Sequence, residues 1–222
     1  MKKIGLKLLL IGGVLGVFSS CTNNNEVSPQ GNSFNQTQVT QQIGNLPLET
    51  ISAAEKNGLL VMREEEKLAK DVYITLYKKW NLNVFNNISS SEATHTSAVL
   101  SLLQKYNIPD LVGNNSVGVF ENTTLQKLYN DLVAKGSSSF LEGVKVGATI
   151  EDLDIKDLQD FLKDVNNQDI TYVYQNLTKG SRNHLRSFYS QVLAQNGTYA
   201  AQFISQSEFD TIVNSAKETG SW

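Results

Sequence analysis

Apolar residues recur every three to four positions through most of the chain after residue 51, which is the spacing of amphipathic α-helices. Alternating runs rich in β-branched residues are scarce, so a β-sheet is not expected. The predicted helices run from Ser52 to about Trp80, from Ser90 or Ser91 to about Tyr106, from Leu125 to Lys135, from Ser137 or Ser138 to about Val165, from Asn167 to about Gln195, and onward from Ser207. Four of them are long, and the pattern therefore predicts an all-α domain built as a helix bundle.

The first 50 residues follow a different pattern. Three lysines within the first seven residues precede an apolar run from Leu8 to Phe18, about half as long as a membrane-spanning helix requires. The following Ser-Ser-Cys21 resembles the lipobox of bacterial lipoproteins, in which the signal is cleaved before the cysteine and the cysteine is acylated. A simple signal peptide with an incidental cysteine is the alternative.

The lipobox resemblance implies a signal peptide at residues 1–20 and lipid attachment at Cys21. It also implies export through the inner membrane and a lipid anchor in a bacterial cell membrane, facing outside the cytoplasm. Residues 22–50 are rich in Asn, Gln, Ser and Thr and have too few large apolar groups to offset the entropy of ordering. We therefore predict a disordered tether up to residue 50 and a folded domain over residues 51–222.

The composition limits the kinds of binding site that the chain can form. The 222-residue chain has a net charge of −3 and no long basic run, so nucleic-acid binding is not expected. It contains a single cysteine, which excludes an intramolecular disulfide and a thiolate-based metal site.

Ionisable residues lie on the apolar stripes of the predicted helices. In the second long helix, Glu92 and His95 are three residues apart and share a face with apolar residues. His184 has the same position in the fourth long helix, and the chain has only two histidines. In the third, Glu151 and Asp154 continue the apolar stripe. In the first, one register places Glu66 inward and a neighbouring register places Glu65 inward.

Such a set favours a metal site. An unpaired carboxylate in a protein core costs several kcal/mol, and several together also repel one another. Cations remove both penalties, and imidazoles with carboxylates suit iron or manganese, with zinc as a further candidate. Each residue also has a structural explanation: the histidines as hydrogen-bonded core residues, the acids of the first helix as a solvated charge run, and Glu151 with Asp154 as the first turn of a helix broken near Thr149.

Four motifs carry a family resemblance. They are Arg63-Glu-Glu-Glu-Lys-Leu-Ala-Lys-Asp-Val-Tyr73, Ser91-Glu-Ala-Thr-His95, Gly147-Ala-Thr-Ile-Glu-Asp-Leu-Asp-Ile155 and Gly180-Ser-Arg-Asn-His-Leu-Arg-Ser-Phe188. In this order they resemble the ferritin-like family catalogued as domain of unknown function 2202, over about residues 52–190. The resemblance implies a ferritin-like four-helix bundle with an extra short helix.

The resemblance also implies a ligand set. Metals of the wider superfamily are held by a Glu on the first helix, Glu-x-x-His on the second, a Glu on the third and Glu-x-x-His on the fourth. The matching residues here are Glu66, Glu92, His95, Glu151 and His184. Ser181 stands where the fourth-helix Glu is expected, so one carboxylate is missing, and Asp154 is a candidate substitute.

These features predict an extracytoplasmic lipoprotein with a metal-binding domain, of the di-iron carboxylate type, that carries out oxygen or peroxide redox chemistry. Its expected partners are the membrane, through the lipid anchor, and metal ions. The alternative, suggested by Ser181, is a membrane-tethered binding or scaffold module with a vestigial metal site.

Overall fold

The computed structural model describes residues 36–220, and the regular secondary structure within them is helical. The helices are α1 (Gln36–Asn45), α2 (Ala53–Trp80), α3 (Asn83–Lys105), α4 (Thr123–Gly136), α5 (Phe140–Leu162), α6 (Gln168–Ala194) and α7 (Gln206–Val213). The prediction of an all-α domain is confirmed for this part of the chain. The predicted signal peptide and Cys21 lie outside the described residues.

Several helix boundaries follow from the capping residues that the sequence offers. Ser52 caps α2 through a capping box, in which the Glu55 amide donates to Ser52 Oγ at 3.1 Å and the Ser52 amide donates to Glu55 Oε2 at 2.8 Å. Asn81 ends the helix in the left-handed conformation, with φ of 51°. Helix α5 continues without interruption through Thr149, so the helix break considered there does not occur.

Helix α3 begins earlier than predicted. Residues 83–87 were expected to be part of a connection, and Ser90 or Ser91 was expected to cap the helix. Instead, Phe85 and Ile88 are buried at 0% and 5% exposure, and burial of these apolar residues favours two further turns at the amino end. Ser90 Oγ donates to Asn86 O at 3.0 Å inside the helix rather than capping it.

Helix α1 lies within the range that was predicted to be a tether. Val39 and Ile43, four residues apart, are both 2% exposed and pack with residues of α3. Lys105 Nζ donates to the carbonyl oxygens of Ile43 and Leu46, each at 2.9 Å, and so satisfies carbonyls at the end of α1. Residues 36–45 therefore differ from the prediction, because two correctly spaced apolar residues suffice to dock a short polar helix.

The four long helices pack around a common interior. Helix α2 contacts α3 and α5, and α6 contacts α5 and α3. On α2 the inward position Glu66 lies between buried Met62 and buried Tyr73, and on α6 His184 lies between Leu177 and Phe188. Apolar layers therefore enclose the central polar level from both ends.

The α3–α4 segment, residues 106–122, is held against α2 by charged side chains. Arg63 Nη2 lies 2.9 Å from Asp110 Oδ2. Lys67, which is 2% exposed, pairs with Asp71 and donates to Ser116 O at 3.1 Å. The segment is therefore fixed along the side of α2.

Among the described helices, none has both the length and the apolar composition needed to cross a membrane.

Candidate metal centre

Two helices supply the first group of metal-ligating side chains. Glu66 comes from α2, and Glu92 and His95 come from α3, where they are one helical turn apart. Nδ1 of His95 lies 2.8 Å from Glu92 Oε2 and 3.2 Å from Glu66 Oε2. All three side chains are at most 1% exposed, so water does not solvate their charges.

A second group shares Glu92 with the first. Nδ1 of His184, on α6, lies 2.7 Å from Glu92 Oε1 and 3.4 Å from Oε2 of Glu151, on α5. In each group the three ligand atoms lie within 4.8 Å of one another. The two oxygens of Glu92 therefore face two different imidazoles, and the rings of His95 and His184 stack with centroids 5.4 Å apart. Each group could hold a metal ion, and Glu92 is a candidate ligand in both.

Buried polar atoms in these groups lack conventional partners. Both carboxylate oxygens of Glu92, Oε1 of Glu66, Oε2 of Glu151 and Nδ1 of His184 have no hydrogen-bond partner among the described residues. The short contacts to Glu92 bring the atoms close without hydrogen-bond angles. Buried polar atoms in native proteins are almost always satisfied, and cations at the two groups would satisfy these.

The pKa values show how strongly the charges interact. Burial raises the pKa of Glu66 to about 8 against the opposing effect of His95. Burial also opposes ionisation of Glu92, but the two imidazoles outweigh it and hold the pKa of Glu92 well below its usual range. Burial lowers the pKa of His184, yet Glu92 and Glu151 together raise it to about 9. Protons thus neutralise the apo cluster, and a bound metal would displace them.

Neighbouring groups orient these side chains. The Tyr73 hydroxyl donates a hydrogen bond to Glu151 Oε1 at 2.5 Å. Ser91 Oγ lies 3.0 Å from Nε2 of His184, which leaves Nδ1 of that ring directed at the carboxylates. Hydrogen bonds of this kind to metal-ligating side chains fix the orientation of the side chain and, for a histidine, its tautomer.

The sequence reasoning missed the roles of Ser91 and Gly180. A Cβ atom on Gly180 would lie 2.6 Å from the His95 ring, so only glycine lets α6 approach that imidazole. The available signal was the position of Gly180, one turn before His184. Gly147, about one turn before Glu151, accommodates the ring of Phe188, whose atoms would lie within 2.6 Å of a Cβ at this position.

The remaining predicted site residues lie outside the two groups. Ser181 is buried and donates to Leu177 O of its own helix at 3.2 Å, so it offers no carboxylate. Asp154 and Glu65 are buried at 3% and 6% exposure, but neither belongs to the two groups of converging ligand atoms. Both adjacent glutamates of α2 are therefore buried, and Glu66 is the one that meets His95.

The donor set fits a metal. Three carboxylates and two imidazoles, all buried, offer oxygen and nitrogen ligands of the kind that iron, manganese and zinc accept. Each group contains one imidazole and two carboxylates, with Glu92 counted in both. The acid and histidine residues could therefore bind metal ions, and no thiolate contributes.

Comparison with known proteins identifies the family to which the chain belongs. The family described as uncharacterized protein domain (DUF2202) matches residues 55–216, more than half of the sequence. The chain belongs to the DUF2202 family. This DUF2202 chain is 52% identical over 182 residues to the uncharacterized protein MJ0754 of Methanocaldococcus jannaschii, a match that covers 82% of the chain and 98% of the relative. A crystal structure of the hypothetical protein MJ0754 from Methanococcus jannaschii aligns with a TM-score of 0.77 and 53% identity, covering 78% of this chain and 99% of that chain.

Proposed function

We propose that this DUF2202 protein is an extracytoplasmic lipoprotein whose ferritin-like four-helix bundle binds a pair of metal ions for redox chemistry with oxygen or peroxide. The observation that carries the proposal is the position of Glu92. Its two oxygens face two imidazoles, at 2.8 and 2.7 Å, from α3 and α6. A further carboxylate completes each group, and these ligands match those of ferritin-like metal proteins except for the fourth-helix carboxylate, which Ser181 replaces.

Iron bound in this site would supply electrons to oxygen or peroxide, and manganese or zinc also suits the donor atoms. The chain's own residues have separate tasks. Glu66 and Glu151 each complete one group from opposite helices, and Tyr73 holds Glu151 through its hydroxyl. The aromatic layer of Tyr73, Phe85 and Phe188, with ring centroids 5.0–6.2 Å apart, excludes water on one side of the site.

Metal loading tests the proposal. The purified chain would be stripped with a chelator, reconstituted without oxygen with Fe(II), Mn(II) or Zn(II), and analysed for bound metal. We expect metal in the wild-type chain and its loss in the double variant His95→Ala/His184→Ala. Asp164→Asn, at an exposed position, is the matched control and should load normally. Equal metal content in all three proteins would reject the site.

The scaffold alternative rests on Ser181, which leaves the fourth-helix carboxylate absent. Thermal unfolding with and without chelator separates the two functions. Ligand present at about 100 times its dissociation constant stabilises a protein by about 2.7 kcal/mol. Chelation should therefore lower the Tm of a bundle that is stabilised by bound metal. A scaffold with a vestigial site should keep its Tm.

Membrane attachment has its own test. Cells producing the wild-type chain or Cys21→Ala would be labelled with radioactive palmitate and fractionated. We expect label and membrane association for the wild-type chain alone. Equal labelling of both chains would contradict lipid attachment at Cys21 and leave the metal site unaffected.

A further inference from the structure

A row of carboxylates winds along α5 away from the metal centre. Its members are spaced by three residues: Glu151, Asp154, Asp157 and Asp160. Because an α-helix advances about 100° per residue, three residues fall about 60° short of a full turn and rise about 4.5 Å. The row therefore turns gradually from the interior towards the surface.

Exposure follows this rotation. Glu151 is 0% exposed and Asp154 is 3% exposed. Asp157 is partly buried, and the side chain of Asp160 is 44% exposed. Acid groups at three-residue spacing thus extend from the ligand Glu151 towards the surface near the end of α5.

Glu65 of α2 faces this row. Helix α2 runs antiparallel to α5, since a Cβ on Gly58 would lie 3.3 Å from the Phe161 ring and Tyr73 lies beside Gly147 and Glu151. This register places Glu65 level with the middle of the row. Accordingly, the Asp157 carboxylate adds to the effect of burial in raising the pKa of Glu65.

Glu65 is buried with an unsatisfied carboxylate oxygen. Its Oε2 atom has no hydrogen-bond partner among the described residues, although the side chain is only 6% exposed. The hydroxyl of Tyr174, which lies beside Gly58 about two turns before Glu65 on α2, is also buried without such a partner. Within residues 36–220, no basic side chain forms an ion pair with Glu65, Asp154 or Asp157, whereas Lys156 and Lys163 pair with Asp160 at the surface. Unpaired carboxylates at such depth require a cation or protons.

We propose that Glu65, Asp154 and Asp157 form a transit site for a divalent cation, on a route that leads from the surface near Asp160 to Glu66 and Glu151 in the metal centre. The proposal rests on the metal-binding function proposed above. The transit residues attract the cation and replace its water ligands stepwise with carboxylate oxygens. They therefore govern the rate at which the centre fills, while the two ligand groups govern how tightly the cation is held.

Cobalt uptake tests this division. Chelator-treated full-length chain would be mixed with Co(II) at low ionic strength, and the visible absorption of bound cobalt would be followed by stopped flow. For Asp157→Asn and Glu65→Gln we expect loading slowed by roughly tenfold with the final cobalt content unchanged. Asp157→Lys, which reverses the charge, should slow loading further. Asp164→Asn removes the same charge from an exposed position off the row, and should load within about twofold of wild type.

Each outcome bears on one of the two proposals. Wild-type rates in both Asp157 variants would overturn the transit site alone, provided that the wild-type chain fills. Final cobalt content that falls together with the rate would also overturn it, because the residues would then be ligands. A wild-type chain that takes up no cobalt would overturn the metal function itself. Circular dichroism of every variant checks the fold, and the half-buried Asp157 carries the test if Glu65→Gln does not fold.

Discussion

Gly180 makes a strong prediction, because its replacement by alanine tests how tightly α6 closes on the metal centre. The added methyl group would lie 2.6 Å from Cε1 and Nε2 of His95, whereas ordinary contacts begin at 3.4 Å. The ring would therefore have to move by about 0.8 Å, the difference between these two distances. Metal–ligand distances tolerate only about 0.2 Å, so this displacement removes His95 from a productive position.

Gly180→Ala has two effects on the free energy of unfolding, and they have opposite signs. Alanine in place of glycine inside a helix favours folding by about 1 kcal/mol, but overpacking a rigid interior costs about 1–3 kcal/mol. We expect Gly180→Ala to lower the free energy of unfolding of the apoprotein by up to about 2 kcal/mol, and metal affinity to fall about 10- to 100-fold.

Urea denaturation and competitive cobalt titration measure the two effects. Gly44→Ala is the matched control, because a Cβ there meets nothing within 4 Å; it should stabilise the chain slightly and leave affinity unchanged. If Gly180→Ala behaved like Gly44→Ala in both assays, the close approach of α6 to His95 would be refuted.

Three further changes test separate parts of the structure. Glu92→Gln should lower the metal content of both groups, whereas Glu151→Gln should affect only one; elemental analysis after loading distinguishes them, and equal losses would contradict the shared carboxylate. Burial and Asp160 raise the pKa of Asp157 to about 6, so the folded state binds this proton more tightly than the unfolded chain, and stability falls as the pH rises from about 4 to about 6. Asp157→Asn should thus be more stable than wild type by about 1–2 kcal/mol at pH 7 and show no such gain near pH 3; a gain independent of pH in urea titrations would argue against the shift. Phe188→Ala should cost about 3–5 kcal/mol in the same assay, since its fully buried ring fills the space beside Gly147, and a loss below about 1 kcal/mol would contradict that packing.

Local signals in the sequence were sufficient for several elements. Ser52 with Glu55 marks the start of α2 because a capping box involves only neighbouring residues. The inward positions of Glu92, His95 and His184 follow from helical periodicity alone. Periodicity could not decide whether Glu65 or Glu66 is the ligand, because both lie on apolar stripes. Only contact with α3 distinguishes them.

Other features depend on long-range packing. Helix α3 extends back to Asn83 because Phe85 packs against Tyr73 and Phe188. Capping rules consider only neighbouring residues and do not predict this contact. Helix α1 has a polar composition and owes its position to Val39, Ile43 and the distant Lys105. Tertiary contacts of this kind decide where marginal helices form.

The α3–α4 segment has a consequence for proteolysis. Long irregular segments are usually the first places that proteases cleave, but this one is bound by Arg63 and Lys67, which lie on either side of Glu66 along α2. Detaching it would break the ion pair of Arg63 with Asp110 and the hydrogen bond from Lys67 to Ser116 O, while the Lys67–Asp71 pair within α2 would remain. Native-state digestion should therefore spare residues 106–122, and a nick there would loosen the turn of α2 that presents Glu66.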